Sequence, residues 1–227
     1  MPGNRKLNRA SVLGSDCILF IPTWKGYAAS ASQEYITTTG TITEVDTPNG
    51  AGLLCGAAAS YVRINLTTLI PLTTSVRSMF IRFYTPASSG TFVLGCWGAD
   101  VLRDYTFLAY RGSADLLSVY PSGGLQGDSD EGADVGGTQT WLDAAVTNVG
   151  LVDNPNIVYG NGSSITTGIN VGNATTTTSD LYLFRQSAGG PSQCPIGTII
   201  QEVALFKRIL TAAEVLTLHN YCVANRL

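Results

Sequence analysis

Apolar residues along this chain recur at every second position, in short runs divided by Gly, Ser, Asn and Pro. Cys17–Ile21 stops at Pro22, residues 60–65 alternate cleanly, and Ser78–Tyr84 is a longer run that ends before Pro86. Residues 91–97, 105–110 and Leu116–Tyr120 follow at short spacing. Residues 140–147, 156–159, 180–184 and Ile199–Phe206 complete the series. A period of two is that of a half-buried strand, and many short strands with frequent turn signals predict an all-β sandwich rather than βαβ units. The polar stretches 37–43, 123–137 and 175–179 read as loops or edge segments.

One helix interrupts this pattern, at the C-terminus. Ile199–Phe206 runs through Lys207 and Arg208 into Thr211-Ala212-Ala213-Glu214. Thr211 can accept from the backbone of Glu214 while Glu214 reaches back to Thr211, the reciprocal capping box. Val215, Leu218 and Cys222 then share one helical face, so the helix should lie on an apolar surface.

Composition narrows the function classes. Hydrophobic residues make up 44% of the 227 and charged residues only 13%, enough apolar mass for a sizeable core and too little charge for a disordered chain. A net charge of −3 argues against nucleic acid, and no stretch approaches the ~20 apolar residues of a bilayer span. The first nine residues contain no signal-peptide pattern, so we expect assembly in a cytoplasm. Five cysteines, never in Cys-x-x-Cys spacing, and a single His give no zinc site and are expected as free, mostly buried thiols.

Several segments, in order, resemble laminin-G-like, concanavalin A-like jelly rolls. Leu19-Phe20-Ile21-Pro22 is similar to the family's opening strand, and Leu54-Cys55-Gly56 with Tyr61-Val62-Arg63-Ile64 to its "F-x-G…Y-V-x-I" hairpin. Residues 76–84 sit where the family has "S-F-T-I-S-x-W-V". Residues 141–147 resemble its "W-H-H-V-A-V-T" strand, with Leu142 and Asp143 in place of the two His, and Tyr159-Gly160-Asn161-Gly162 its "Y-V-N-G" turn. The closing Lys-Arg corner and capped helix match as well. The resemblance implies a two-sheet antiparallel jelly-roll sandwich over residues 16–227, preceded by a basic arm at 1–15. It also places Trp141 in the sandwich core. Asn8-Arg9-Ala10-Ser11-Val12-Leu13 resembles the "N-R-x-S-P-L" leader of tailed-phage virion proteins. Fold-level analogy of that kind raises a setting without proving an activity.

The candidate chemistry is sparse. A glycosidase on this sandwich would present carboxylates at alternate strand positions. Glu44 and Asp46 supply two, but Pro48 stands at the third. His219 lies three residues from Cys222, whose core-facing position opposes an activated thiolate. Asp128, Asp130 and Asp134 in an acidic loop are the best Ca²⁺ candidates, although a solvated charged loop fits the same residues. Trp24, in a loop after Pro22, is the candidate for glycan contact. Arg5, Lys6 and Arg9 are candidates for anchoring the arm to a partner.

These readings lead to a non-enzymatic structural or interaction protein of a phage virion, without a required cofactor. Its expected partners are other virion proteins or copies of itself, in a capsid-decoration or head and tail accessory role. The alternative is a carbohydrate-binding module or receptor-binding tail or fibre protein that contacts surface glycans. A glycoside hydrolase comes last.

Overall fold

A computed structural model describes residues 16–21, 24, 36–48, 50–66, 76–86, 91–98, 105–111, 116–120, 140–147, 156–169, 180–185 and 194–224. At residues 18, 91–93, 96–98, 105–111, 116–120, 156, 166–169 and 224 it describes the backbone. Among these residues the protein forms fourteen strands and one helix. The strands are β1 (Cys17–Ile21), β2 (Ile36–Thr39), β3 (Ile42–Thr47), β4 (Gly50–Cys55), β5 (Tyr61–Asn65), β6 (Ser78–Tyr84) and β7 (Thr91–Gly98). They continue with β8 (Tyr105–Arg111), β9 (Leu116–Tyr120), β10 (Trp141–Thr147), β11 (Asn156–Gly160), β12 (Ser163–Ile169), β13 (Asp180–Leu183) and β14 (Ile199–Phe206). Helix α1 spans Ala212–Ala224.

All pairings are antiparallel and divide into two sheets, as the alternation predicts. Sheet A has eight strands in the order β12-β11-β10-β6-β14-β4-β3, with β1 also paired to β14. β4 meets β14 at Ile199 and Ile200, and β1 meets it farther on, from Val203 to Phe206. Sheet B has six strands in the order β2-β5-β13-β7-β8-β9. The stretch 37–43 contributes β2 and the start of β3, each at a sheet edge. β12 is polar (Ser-Ser-Ile-Thr-Thr-Gly-Ile) and was not legible as a strand; the Asn161-Gly162 turn pairs it to β11.

Between the sheets lies one apolar core. Leu53, Met79, Ile81, Phe83, Leu142, Ala144, Val146, Ile200, Val203 and Leu205 come from sheet A, and Val62, Ile64, Leu94, Leu181 and Leu183 from sheet B. Most strands supply alternate residues, as the pleat requires, and β14 skips one between Ile200 and Val203 where its register shifts. Gly95 permits close approach of the sheets, since a Cβ there would fall 2.7 Å from Ile81 Cδ1.

A second apolar cluster fills the space between the outer face of sheet A and α1. Phe80, Ala145, Tyr159, Ala204 and Phe206 lie below; Leu210, Val215, Leu218 and Cys222 lie above. Burying side chains such as Val215 and Leu218 stabilises the docked helix by roughly 1.5–3 kcal/mol each.

Candidate binding sites on the outer faces

The basic corner before α1 is a set of interlocking bonds. Arg208 grips Glu214 through two nitrogens, Nη1 to Oε2 at 2.8 Å and Nη2 to Oε1 at 2.6 Å. Glu214 Oε2 also accepts from the Thr211 backbone N–H at 2.8 Å, while Thr211 Oγ1 accepts from the Glu214 N–H at 3.3 Å. The capping box expected from the sequence is therefore formed and reinforced by a fork. The Arg208 hydrogen bonds, followed in weight by those from Thr211, hold the Glu214 carboxyl down at about 2. Lys207 and Arg208 both reach Asp16, at 3.1 and 3.6 Å, and Ser78 Oγ accepts from the Leu210 N–H while donating to the Arg208 carbonyl.

Under the second half of α1, charged residues form a row across three strands. The register sets Glu202 of β14 and Asp143 of β10 on either side of Arg82 of β6. All three are buried, at 3%, 2% and 1% exposure. A bulge at Gln201 produces this alignment, because the β14 register shifts between Ile200 and Glu202. Arg82 Nη1 lies 3.6 Å from Asp143 Oδ2, and His219 Nδ1 lies 2.6 Å from the same oxygen. Cys222 donates its thiol to Glu202 Oε2. Burial pushes the Glu202 carboxyl up, against smaller opposing effects of Cys222 and Arg82.

His219 therefore does more than finish a surface turn, the role its position suggests in sequence. It pins α1 to Asp143, and Gly162 makes room for it: a Cβ at Gly162 would lie 2.9 Å from His219 Cβ. With φ of 49° at Asn161 and 77° at Gly162, the turn is also of the kind that favours Asn-Gly. A His held by a buried Asp has the form of a catalytic pair, but it faces no activated nucleophile among the described residues. Cys222 bonds to Glu202 instead, and burial raises its pKa, as it raises those of Cys55 and Cys194 and that of Cys17, to about 12. Thiols in this state are inert.

Beyond the helix, the same face of sheet A turns apolar. Trp141 stands opposite Tyr84, Tyr84 opposite Ile199, and Ile199 opposite Leu54. All four are half-buried. The Trp141 and Tyr84 rings are 5.8 Å apart and tilted by 49°, and the buried Arg82 guanidinium lies 5.7 Å from the Trp141 ring centroid. This corrects the expectation that Trp141 fills the core. Leu142, Ala144 and Val146 take the inward positions, so the pleat turns Trp141 and Asp143 outward. That parity was readable in Trp-Leu-Asp-Ala-Ala-Val-Thr itself.

The other tryptophan expectation is also corrected. Trp24 is only 3% exposed, its backbone N–H donates to the Ala51 carbonyl at 3.0 Å, and its ring joins the inter-sheet core. A ring so placed has no free face for a sugar. Glu44 and Asp46 lie on edge strand β3. Arg5, Lys6 and Arg9, and Asp128, Asp130 and Asp134, lie outside the described residues. Among the described residues no group of His, Cys, Asp and Glu is arranged to hold a metal.

The outer face of sheet B differs. Tyr61 and Arg63 are two apart on β5, next to Asp180 and Tyr182 of β13. Arg63 Nη2 bonds Asp180 Oδ2 at 2.8 Å, the Tyr61 and Tyr182 rings are 5.8 Å apart, and the Arg185 guanidinium lies 5.6 Å from the Tyr61 centroid. Phe184, just before Arg185, has φ of 69°. A bulky residue in that conformation costs on the order of 1–3 kcal/mol and persists only where its surroundings demand it. The turn lets both Leu183 and Phe184 enter the core, and Arg185 then comes to lie over Tyr61.

No protein-family model matches the chain, and no curated protein matches it either. Solved structures do share its fold. Domain 4 of AbnA, a GH43 extracellular arabinanase from Geobacillus stearothermophilus solved with arabinotriose, has a TM-score of 0.63 at 16% identity, over 90% of this chain and 98% of that one. The binding domain of botulinum neurotoxin DC, solved with SialylT, has a TM-score of 0.62 at 12% identity, over 84% of this chain and 47% of that one. Trypanosoma rangeli sialidase, solved with the inhibitor DANA, gives 0.59 at 15%, over 81% and 29%. The chain thus spans nearly all of the arabinanase domain and less than half of the other two. At such identities the likeness establishes the fold: a two-sheet antiparallel sandwich closed by a short helix.

Proposed function

We propose that the protein is a carbohydrate-binding domain that holds a neutral sugar on Trp141 and Tyr84. The observation that carries this is the outward Trp141–Tyr84 pair, with the Arg82 guanidinium 5.7 Å from the Trp141 ring centroid. Large, rigid aromatic rings supply contact area at low entropic cost, and Trp and Tyr dominate binding energy where they recur at recognition sites. The row Trp141, Tyr84, Ile199 and Leu54 extends across four strands, roughly 14 Å at the usual strand spacing. It contains no charged side chain, and the nearby Arg82, Asp143 and Glu202 are buried against one another. An uncharged, extended partner such as a short glycan chain suits this surface. The arabinotriose bound to the arabinanase domain and the SialylT bound to the neurotoxin domain support a ligand-binding role for the fold.

The test is a glycan array followed by calorimetric titration of the retained sugars. Trp141→Ala and Tyr84→Ala should each weaken binding at least tenfold while the circular-dichroism spectrum is kept. Trp24→Ala is the contrast and should lower stability instead. Unchanged affinity in both platform variants overturns the proposal. The Asn8-Arg9-Ala10-Ser11 leader motif adds a setting, in which the domain is carried on a phage particle. A mass-spectrometric inventory of purified particles tests that setting.

A further inference from the structure

We propose that the outer face of α1 is an interface through which two copies of this chain pair, their helices antiparallel. The helix turns Val215, Leu218 and Cys222 down onto sheet A. Its exposed side is made by Ala212, Ala213, Leu216, Thr217, Asn220 and Tyr221, nearly three turns without a charged side chain. A surface helix ordinarily carries charge on its solvent side. Here Glu214 is turned to Arg208 and Thr211, and His219 to Asp143. The cations at the foot of the helix, Lys207 and Arg208, reach Asp16 and Glu214. Leu216 and Tyr221 nonetheless stand 46% and 37% exposed. Large apolar groups exposed where charge is depleted have the composition of an interface centre rather than of a solvated surface.

The occupant follows from the order of side-chain sizes. Small residues, Ala212 and Ala213, open the face, and large ones, Asn220 and Tyr221, close it. Antiparallel pairing about a two-fold axis midway between Leu216 and Thr217 sets Ala212 level with Tyr221 of the second copy. The same axis sets Ala213 level with Asn220, and Leu216 with Thr217. Each larger side chain thus lies level with a smaller one, so the face is complementary to itself. A parallel pairing would crowd large against large at one end and leave a gap at the other.

The polar and electrostatic terms agree. The Thr217 hydroxyl donates to the Ala213 carbonyl at 2.8 Å, so covering it strands no donor. Neither copy has to desolvate an ion. A charged partner finds no counterpart on this face, and a helix without Lys or Arg is poorly suited to an anionic lipid surface. The helix is about 20 Å long, and a contact of that length falls short of the roughly 1,200 Å² of a standard stable interface, so the pairing is weak and reversible.

Sedimentation equilibrium on the full chain, from about 10 μM to about 1 mM, should show the mass rising from 23.9 kDa towards twice that value. Leu216→Glu should weaken self-association at least tenfold and leave the melting temperature of dilute protein unchanged, because Leu216 is exposed in the single copy. A short bismaleimide reads the register, with the wild-type chain as background. Ala213→Cys mixed with Asn220→Cys should cross-link, and either variant alone should do so far less. A chain that stays monomeric at the highest concentration overturns the proposal. So does self-association unchanged by Leu216→Glu, or cross-linking of Ala213→Cys with itself equal to that of the mixture. Binding of the unpaired chain to phosphatidylcholine vesicles, lost in Leu216→Glu, would assign the face to lipid and overturn it equally.

Discussion

On the outer face of sheet A, Arg82 is 1% exposed between Asp143 and Glu202; on that of sheet B, the side chain of Arg63 is 42% exposed and pairs with Asp180. Both arginines sit mid-strand and pair with a carboxylate, yet their energetic roles diverge. Arg82 is covered by α1, which brings His219 to Asp143 and Cys222 to Glu202, so the polar groups of that row find partners inside the protein. Nothing among the described residues covers sheet B in the same way, and its cations border solvent. A buried ion row is strongly destabilised by loss of one member, while a half-exposed pair is screened. Covering one face thus converts charge into architecture, while on the other face the exposed arginine side chain leaves its ion pair open to screening by solvent.

The largest expected effect breaks the covered face. Arg82→Leu leaves Asp143 and Glu202 without their cation and should cost about 3–5 kcal/mol, read as a fall in the urea midpoint. A loss below about 1 kcal/mol would mean that the row is held by something other than the arginine.

The corner between β14 and α1 should respond less, and with a definite pH sign. Glu214 is held down at about 2 from an ordinary 4.5, chiefly by Arg208. The folded chain thus binds this proton more weakly than the unfolded chain does. Its stabilisation is complete above pH 4.5 and disappears as pH falls through about 2. Glu202 runs the other way: burial raises its value, so its ionisation costs stability as pH rises past the ordinary 4.5. Glu214→Gln should cost about 1 kcal/mol near neutrality and flatten the acid limb of a melting-temperature profile relative to the wild type. A parallel acid limb in the variant would remove Glu214 from this role.

The smallest effect sharpens the contrast. Arg63→Ala should cost less than Arg82→Leu in the same urea titration, because the arginine end of its ion pair is open to solvent although Asp180 is buried. A cost equal to that of Arg82→Leu would show that the two faces are energetically alike.

The sequence by itself determined the elements whose information is local. Alternation delimited β1, β6, β9 and β14 to the residue, and Thr211 with Glu214 marked the start of α1, because strand period and helix capping act over two to four residues. The outward position of Trp141 was equally local, set by the parity of Leu142, Ala144 and Val146. Position in the family pattern pointed inward instead, and the pleat decided. Other features depended on which strands became neighbours. Trp24 is in the core because its backbone N–H pairs with Ala51, far along the chain. The row Glu202, Arg82 and Asp143 exists because β14, β6 and β10 lie side by side and a bulge at Gln201 shifts the register. Arg185 caps Tyr61 only because Phe184 adopts a left-handed turn that no local preference of Phe would select. Each of these depends on contacts between residues distant in the chain, which only tertiary packing brings together.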